Sequence, residues 1–580
     1  MNVFGGRARA ARCARSARLA APAGGSAWHA AGGAVAAAGL LICTTGANPA
    51  PPLSVPPSRT LPVPNPASAP GTPAPDSKPS EGAAPAKPPA QAPSPQPPAP
   101  QQIAKQKSAL TAEFLTHFQA RDFEAAEPFA RRLIALDDWD YVPRYNLAAC
   151  LAMQGRLDEA EGALRAAVER GFVEFDLMAR DRNLAPLRSS QTFHALIAKW
   201  PQVQERIIDQ KVERQKNALS GGGKGYVTRK EATSRLVFLS AFPEASFTGA
   251  LAEIARVERF WERQVLPEGV HALSTDAKRP DPWVMVWLPA INDYQRWAMG
   301  KFGSIQVGGI YDQEKKELVT QDLGPILRHE FLHVLHWRHM MRSGFIQPAW
   351  AQEGICALVE DLEDVPDGTA RPLPSWRTNT LRTMAKNSVL PRWADLFAIP
   401  ADRFTETKGL ANYAAARGVF LFLSERGKLR EWYGAYVAHA KADPTAAFEE
   451  VFKEPIARVE QEWRAWVKAL PEAAETGVNL AAILPLGLEN GGDGVRVVDM
   501  TLPEARRAGV RLGDTITAID GVRVRDMSEY ARLISGYKVG DEVTASYRRG
   551  ASGKVIGAAQ MKLVPRAGGA GEIERPFPRR

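Results

Sequence analysis

The chain has 580 residues, too many for one hydrophobic core, so about three domains with connecting segments are expected. It is 45% hydrophobic and 24% charged, an ordinary globular balance. Of the net charge of +9, five arginines near the amino terminus supply five, which leaves the remainder near +4, too mild and dispersed to argue for nucleic acid.

Those arginines, Arg7, Arg9, Arg12, Arg15 and Arg18, precede an apolar run from Ala30 to Cys43 and then the small residues Thr44-Thr45-Gly46-Ala47. Residues 1–47 thus carry the charged, apolar and small-residue regions of an export signal, and an extracytoplasmic chain, periplasmic or secreted, is expected. The apolar run is shorter than the eighteen or so residues a spanning helix requires. An uncleaved anchor and an Arg-rich, acid-free mitochondrial presequence fit the same residues. Leu40-Leu41-Ile42-Cys43 outlines a lipidation signal, against which stands the bulk of Ile42. No paired arginines support the twin-Arg route. A membrane partner is expected only through an uncleaved or lipidated amino terminus. The 45 prolines crowd into residues 49–100 among Ala, Ser and Gln, so residues 48–104 are expected to form an extended spacer without a core.

Residues 105–215 read as helical. Ala126, Ala130 and Leu133 align with Ala160, Leu164 and Ala167 at an offset of 34, and Asn146-Leu147-Ala148, Gly155 and Glu159-Ala160 put small residues where paired helices approach. The pattern resembles tetratricopeptide repeats, with helices over Phe172 to Trp200 as a cap. A protein-docking groove and a helical spacer packed on the next domain are both consistent with it.

Residues 216–472 hold the chemistry. An extended stretch over 305–320 contains Gly308-Gly309, turns at Asp312 to Lys316 and returns through Leu318-Val319-Thr320. After Gly324-Pro325 a mostly apolar helix runs from Leu323 to Leu335, with Pro favoured in a first turn. It carries His329-Glu330-Phe331-Leu332-His333. One turn apart, His329 and His333 share a face and can reach one metal, while Glu330 can hold and deprotonate a water beside it. His336 lies seven residues from His329, about 10 Å along the axis, so three ligands from one straight helix do not converge. Glu353, in Trp350-Ala351-Gln352-Glu353-Gly354, arrives on a second helix after a turn-rich segment and satisfies the geometry, which leaves His336 beside the centre or at the surface.

These residues resemble the gluzincin metallopeptidases, and the Trp350-x-x-Glu353-Gly354 context is similar to the peptidase MA-like, aminopeptidase-N-like branch. Glu360, seven positions after Glu353, falls where that branch has an acidic residue. The resemblance spans roughly residues 220–470 and implies one zinc ion per chain on His329, His333 and Glu353, with Glu330 as the catalytic base. It also implies a strand along the cleft on which substrate backbone adds. The aminopeptidases carry a Gly-Ala-Met-Glu-Asn segment that grips a free amino end. This chain has Val307-Gly308-Gly309-Ile310-Tyr311-Asp312 instead, with no glutamate there, which favours an endopeptidase. Tyr413, at the start of a helix over 412–421, is the candidate donor to the developing oxyanion, with core packing the competing role. Residues 447–467 read as an amphipathic closing helix pair. Cys150 and Cys356 are expected as buried thiols in separate domains.

Residues 473–566 closely resemble a bacterial PDZ domain, followed by a disordered tail over 567–580. Ala508-Gly509-Val510-Arg511-Leu512-Gly513-Asp514-Thr515-Ile516 turns into an alternating strand, and Asp520-Gly521 makes a tight hairpin. Met527 to Ser535 would be the helix beside the groove. By the resemblance, the loop containing Leu486, Gly487 and Leu488 would offer its N–H groups to a chain-terminal carboxylate, and the peptide would add as a strand.

The expected fold is multidomain: an α-helical TPR-like domain, an α+β gluzincin metallopeptidase domain and a small, mostly β PDZ domain. The expected function is a zinc-dependent endopeptidase acting on extracytoplasmic protein or peptide substrates that the two modules select or position. Further expected partners are a C-terminal peptide at the PDZ domain and a protein at the TPR-like domain. The alternatives are a catalytically silent protease-like scaffold and an aminopeptidase.

Overall fold

The computed structural model describes residues 100–302, 308–366, 368–406, 409–439, 443–475, 478–491, 493–500, 502, 507–549 and 555–566. The export signal over 1–47, nearly all of the Pro-rich spacer, Val307 and the tail over 567–580 lie outside the described residues. Among the described residues no helix is long and apolar enough to cross a membrane.

The first helix, α1, spans Pro100–Gln119 and begins inside the stretch expected to be spacer. It is followed by α2 (Phe123–Leu136), α3 (Val142–Met153) and α4 (Leu157–Glu169), which pack as successive antiparallel pairs. The 34-residue spacing has a packing cause. Ala126, Ala130, Ala160, Leu164 and Ala167 are buried in one core with α3, where small side chains let the helices approach, and Leu133 is buried as well. Short helices over 175–198 extend that core, and α5 (Trp200–Ala218) leads out of it.

A five-stranded sheet follows, built from β1 (Val227–Glu231), β2 (Leu236–Ser240), β3 (Val284–Leu288), β4 (Gly309–Asp312) and β5 (Glu317–Thr320), in the order β1-β2-β3-β5-β4. The central β2, β3 and β5 are parallel, so they must be covered on both faces, and β2 and β3 are buried at every residue. The period of two sorts their side chains. Leu236, Phe238, Val284, Val286 and Leu318 enter the large core shared with the following helices, while Val237, Leu239, Met285, Trp287 and Val319 face α5. Strand β4 pairs antiparallel with β5 and ends the sheet, and among the described residues no strand pairs with its other edge.

On the core side lie α6 (Glu244–Phe260) and α7 (Pro325–Ser343). Helix α7 begins with Pro325 in its first turn and stops at Gly344, which takes the left-handed conformation (φ 73°) that closes a helix end. It runs two turns past the predicted Leu335, because Trp337 and Met340 join the core of the helical region and Trp337 Nε1 donates to Glu174 Oε1 at 3.1 Å. Then come α8 (Ala349–Cys356), α9 (Trp376–Lys386) and α10 (Gly409–Glu425), and the two predicted closing helices form at Pro444–Phe452 and Ile456–Ala469. Cys150 and Cys356 are buried and free, as the sequence predicts.

The carboxy-terminal module is a second sheet, ordered β10-β9-β8-β7-β6, with β6 at Gly487–Asn490, β7 at Val495–Asp499, β8 at Thr515–Ile519, β9 at Glu542–Arg548 and β10 at Val555–Lys562. Helix α11 (Met527–Ile534) covers it, capped by Asp526, whose Oδ1 accepts from Glu529 N at 2.8 Å. Asp520 and Gly521 both take positive φ, as the tight turn at that place requires.

Candidate metal centre

Helix α7 presents His329 and His333 on one face, and α8 brings Glu353 to meet them. The approach of α8 is set by Gly354. A Cβ there would lie 2.6 Å from the Phe420 ring and 2.9 Å from the backbone of Ala416, so only glycine lets α8 lie this close to α10. Trp350, one turn earlier on the same face of the helix, stacks on Phe397 at 4.1 Å between centroids.

Three ligand-type atoms converge as a result. His329 Nε2 lies 3.2 Å from His333 Nε2 and 3.2 Å from Glu353 Oε2, and His333 Nε2 lies 3.4 Å from that same oxygen. A tetrahedral zinc with bonds of about 2.0–2.1 Å has its ligands about 3.3 Å apart, so these three atoms have the spacing that would hold one zinc ion. Two neutralisable imidazoles and a carboxylate are also the donor set zinc takes. Among the described residues these three form the one group of His, Cys, Asp or Glu side chains with such spacing.

The surroundings hold these groups in place. Nδ1 of His329 lies 2.9 Å from Glu360 Oε1, and Glu360 is gripped in turn by Arg377, Nε to Oε2 at 2.6 Å and Nη2 to Oε1 at 2.7 Å. Burial opposes a charge on His329, but the Glu353 and Glu360 carboxylates outweigh it and raise the imidazole to about 10. Burial likewise opposes charge on Glu360, and Arg377 together with His329 overcomes this to hold the carboxyl at about 2. Glu353 is driven well below the usual carboxylate range, as His333 and His329 outweigh its burial. The site is therefore a buried, ion-paired array.

Glu330 points at the free edge of β4, where its Oε2 accepts a hydrogen bond from Tyr311 N–H at 2.8 Å. Burial, and then the charge of the Glu353 carboxylate, push the Tyr413 hydroxyl well above the usual tyrosine range, its ring sits edge-on to Phe404 at 5.3 Å, and Arg377 lies 5.2 Å over its face. Tyr413 lies in the second turn of α10 instead of opening it. His336 is not at the surface. It is buried against Trp261 and Tyr433, and that burial lowers it to about 3, so it is a neutral core residue. In the carboxy-terminal module, Leu486 is buried in the loop before β6, whereas Gly487 and Leu488 already belong to the strand. That loop's Leu484 N–H donates to the Tyr530 hydroxyl at 2.9 Å.

Three residues around the candidate site escape a reading of the sequence. Tyr311 meets Glu330 through its backbone N–H, which no side-chain motif records. Arg377 sits in the first turn of α9, where the helix dipole disfavours a cation, and that misfit is the available hint of a dedicated partner. Arg328 is a lone charge amid the apolar residues before His329, and a fully buried arginine requires one as well.

Comparison with known proteins identifies two modules. A PDZ domain matches residues 505–549, and a tetratricopeptide repeat matches residues 117–174. The chain therefore combines a helical TPR-like region with a β-rich PDZ region, two module types that generally mediate protein or peptide binding. No curated protein sequence matches it significantly. Among solved structures, an aminopeptidase N family protein from Idiomarina loihiensis is similar at 13% identity over 57% of this chain and 65% of that one, with a TM-score of 0.22. That likeness is too distant to carry an argument about the site.

Proposed function

We propose that this chain is a zinc-dependent endopeptidase of the gluzincin type, built on His329, His333 and Glu353, and acting on extracytoplasmic proteins or peptides positioned by its PDZ and TPR-like modules. One observation carries the reading: the 3.2–3.4 Å triangle of donor atoms, with Glu330 beside it. When bound, zinc supplies Lewis-acid polarisation of a substrate carbonyl and acidifies a water next to it. Glu330 takes that water's proton and delivers it to the departing amine, and the Tyr311 N–H fixes the carboxylate for both transfers. The Tyr413 hydroxyl, which the Glu353 carboxylate helps keep protonated, is available as a donor to the developing oxyanion. The free edge of β4 suits an extended substrate pairing as an added strand. The segment from Val307 to Asp312, which carries no amine-gripping glutamate, supports internal cleavage. Metal analysis of wild type and Glu330→Gln, with casein as substrate, tests the proposal: about one zinc per chain in both, and cleavage by wild type alone. Zinc in both with no cleavage of any protein offered would favour the silent scaffold instead.

A further inference from the structure

The PDZ module does not merely hang beside the metal centre. Arg525 and Asp526, at the start of its helix α11, enter a buried ion cluster with Glu253 of α6 and Arg328 of α7, the residue immediately before His329. The Arg328 guanidinium is 1% exposed and uses all three of its nitrogens. Nε donates to Val359 O at 2.7 Å and Nη1 to Glu253 Oε2 at 2.9 Å, while Nη2 donates to Glu360 O at 2.5 Å and lies 3.3 Å from Asp526 Oδ2. Arg328 thereby clamps the backbone of Val359 and Glu360, the segment whose carboxylate contacts His329 Nδ1. Arg532 of α11 adds a bridge to the next residue, Asp361, at 3.1 Å.

From this geometry we infer that Asp526 of the PDZ module is a positioning residue for the candidate metal centre, acting through Arg328 on Glu360 and His329. The inference rests on the zinc reading above. A buried guanidinium needs compensating charge on more than one side. Glu253 already serves Arg256 and Arg525 as well as Arg328, so without Asp526 the Arg328 charge is compensated from that side alone, and Arg328 is drawn toward Glu253 and away from the carbonyls of Val359 and Glu360. Glu360 then loses its backbone anchor, although Arg377 still holds its carboxylate. Ligand orientation should loosen by less than the loss of a direct partner would cause, which is about 10–100-fold in metal affinity.

The test uses the full chain and zinc alone, with affinity read by competition against a chelator of known strength. Asp526→Asn removes the charge yet keeps an equally good helix cap, so α11 should persist. Zinc affinity should fall about 3–10-fold, at or below the low end of that range, and the visible spectrum of the Co2+-loaded protein should change. Ser246→Ala removes a different contact of the same interface, the hydroxyl that accepts from Arg548 Nη1 at 3.0 Å, and should leave both unchanged. A second measurement needs no variant. Coupling is reciprocal, so zinc binding to the wild type should slow hydrogen exchange in the amides of α11. Unchanged affinity and spectrum in Asp526→Asn, or exchange in α11 indifferent to zinc, would overturn the inference. A wild type that takes up no zinc would instead overturn the metal reading and this inference along with it.

Discussion

Arg377 holds Glu360 with two parallel hydrogen bonds of 2.6 and 2.7 Å, and both residues are buried. The fork geometry matters as much as the charge. It leaves Glu360 a single orientation, the one that faces His329 Nδ1. Lysine would keep the charge and lose the fork. Arg377→Lys should therefore weaken zinc binding by about 10-fold while the protein stays folded, measured by chelator competition beside circular dichroism. Wild-type affinity in that variant would show that charge alone suffices.

The ligand set can be separated from the nearby histidines. Glu353→Ala removes one corner of the donor triangle and should abolish stoichiometric zinc in metal analysis. His336→Ala should retain the metal, because that ring packs on Trp261 and Tyr433 in the core. Its cost should appear instead as a stability loss of about 1–3 kcal/mol in denaturant unfolding. Zinc lost from His336→Ala and kept in Glu353→Ala would reverse the assignment.

Gly354 predicts a steric failure. An alanine Cβ would meet Phe420 at 2.6 Å, and the opposing ring is itself stacked on Trp350 and cannot retreat freely. Gly354→Ala should cost about 1–3 kcal/mol as an overpacked core, seen as a lower unfolding midpoint. It should also weaken zinc binding, since Glu353 is the preceding residue.

Asp322 gives the pH dependence. Burial first, and then the charge of Asp526, raise its carboxyl to about 7. A folded value above the unfolded one means that the folded chain holds this proton more tightly. Its contribution to stability is complete below about pH 4 and is lost as pH rises through 7. Asp322→Asn keeps an oxygen for Gly324 N–H, which now donates to Oδ1 at 2.6 Å, and removes the titration. Thermal unfolding of the metal-free protein should show a higher midpoint for the variant at pH 8 and little difference at pH 4. An unchanged or lower midpoint at pH 8 would refute this.

Much of the local architecture is legible without coordinates because it follows from short-range rules. The one-turn spacing of His329 and His333 follows from helical period, the hairpin at Asp520-Gly521 from its tolerance of positive φ, and the helical pairs over 123–169 from alanines at matched spacing. Helix ends are harder to read. The chain from His336 to Met340 continues α7 because Trp337 and Met340 bury against helices far away in sequence.

What the sequence determines alone is which side chains are available for chemistry and which elements carry them. The tertiary structure decides their company: Glu353 beside the histidines through the close packing of Gly354 on Phe420, Glu330 oriented by a backbone N–H of an edge strand, and Glu360 gripped by Arg377. It also joins Arg328 to Asp526, nearly two hundred residues further along. These contacts depend on long-range burial, where an unpaired charge is too costly to persist, and neither propensity nor periodicity encodes which partner satisfies it.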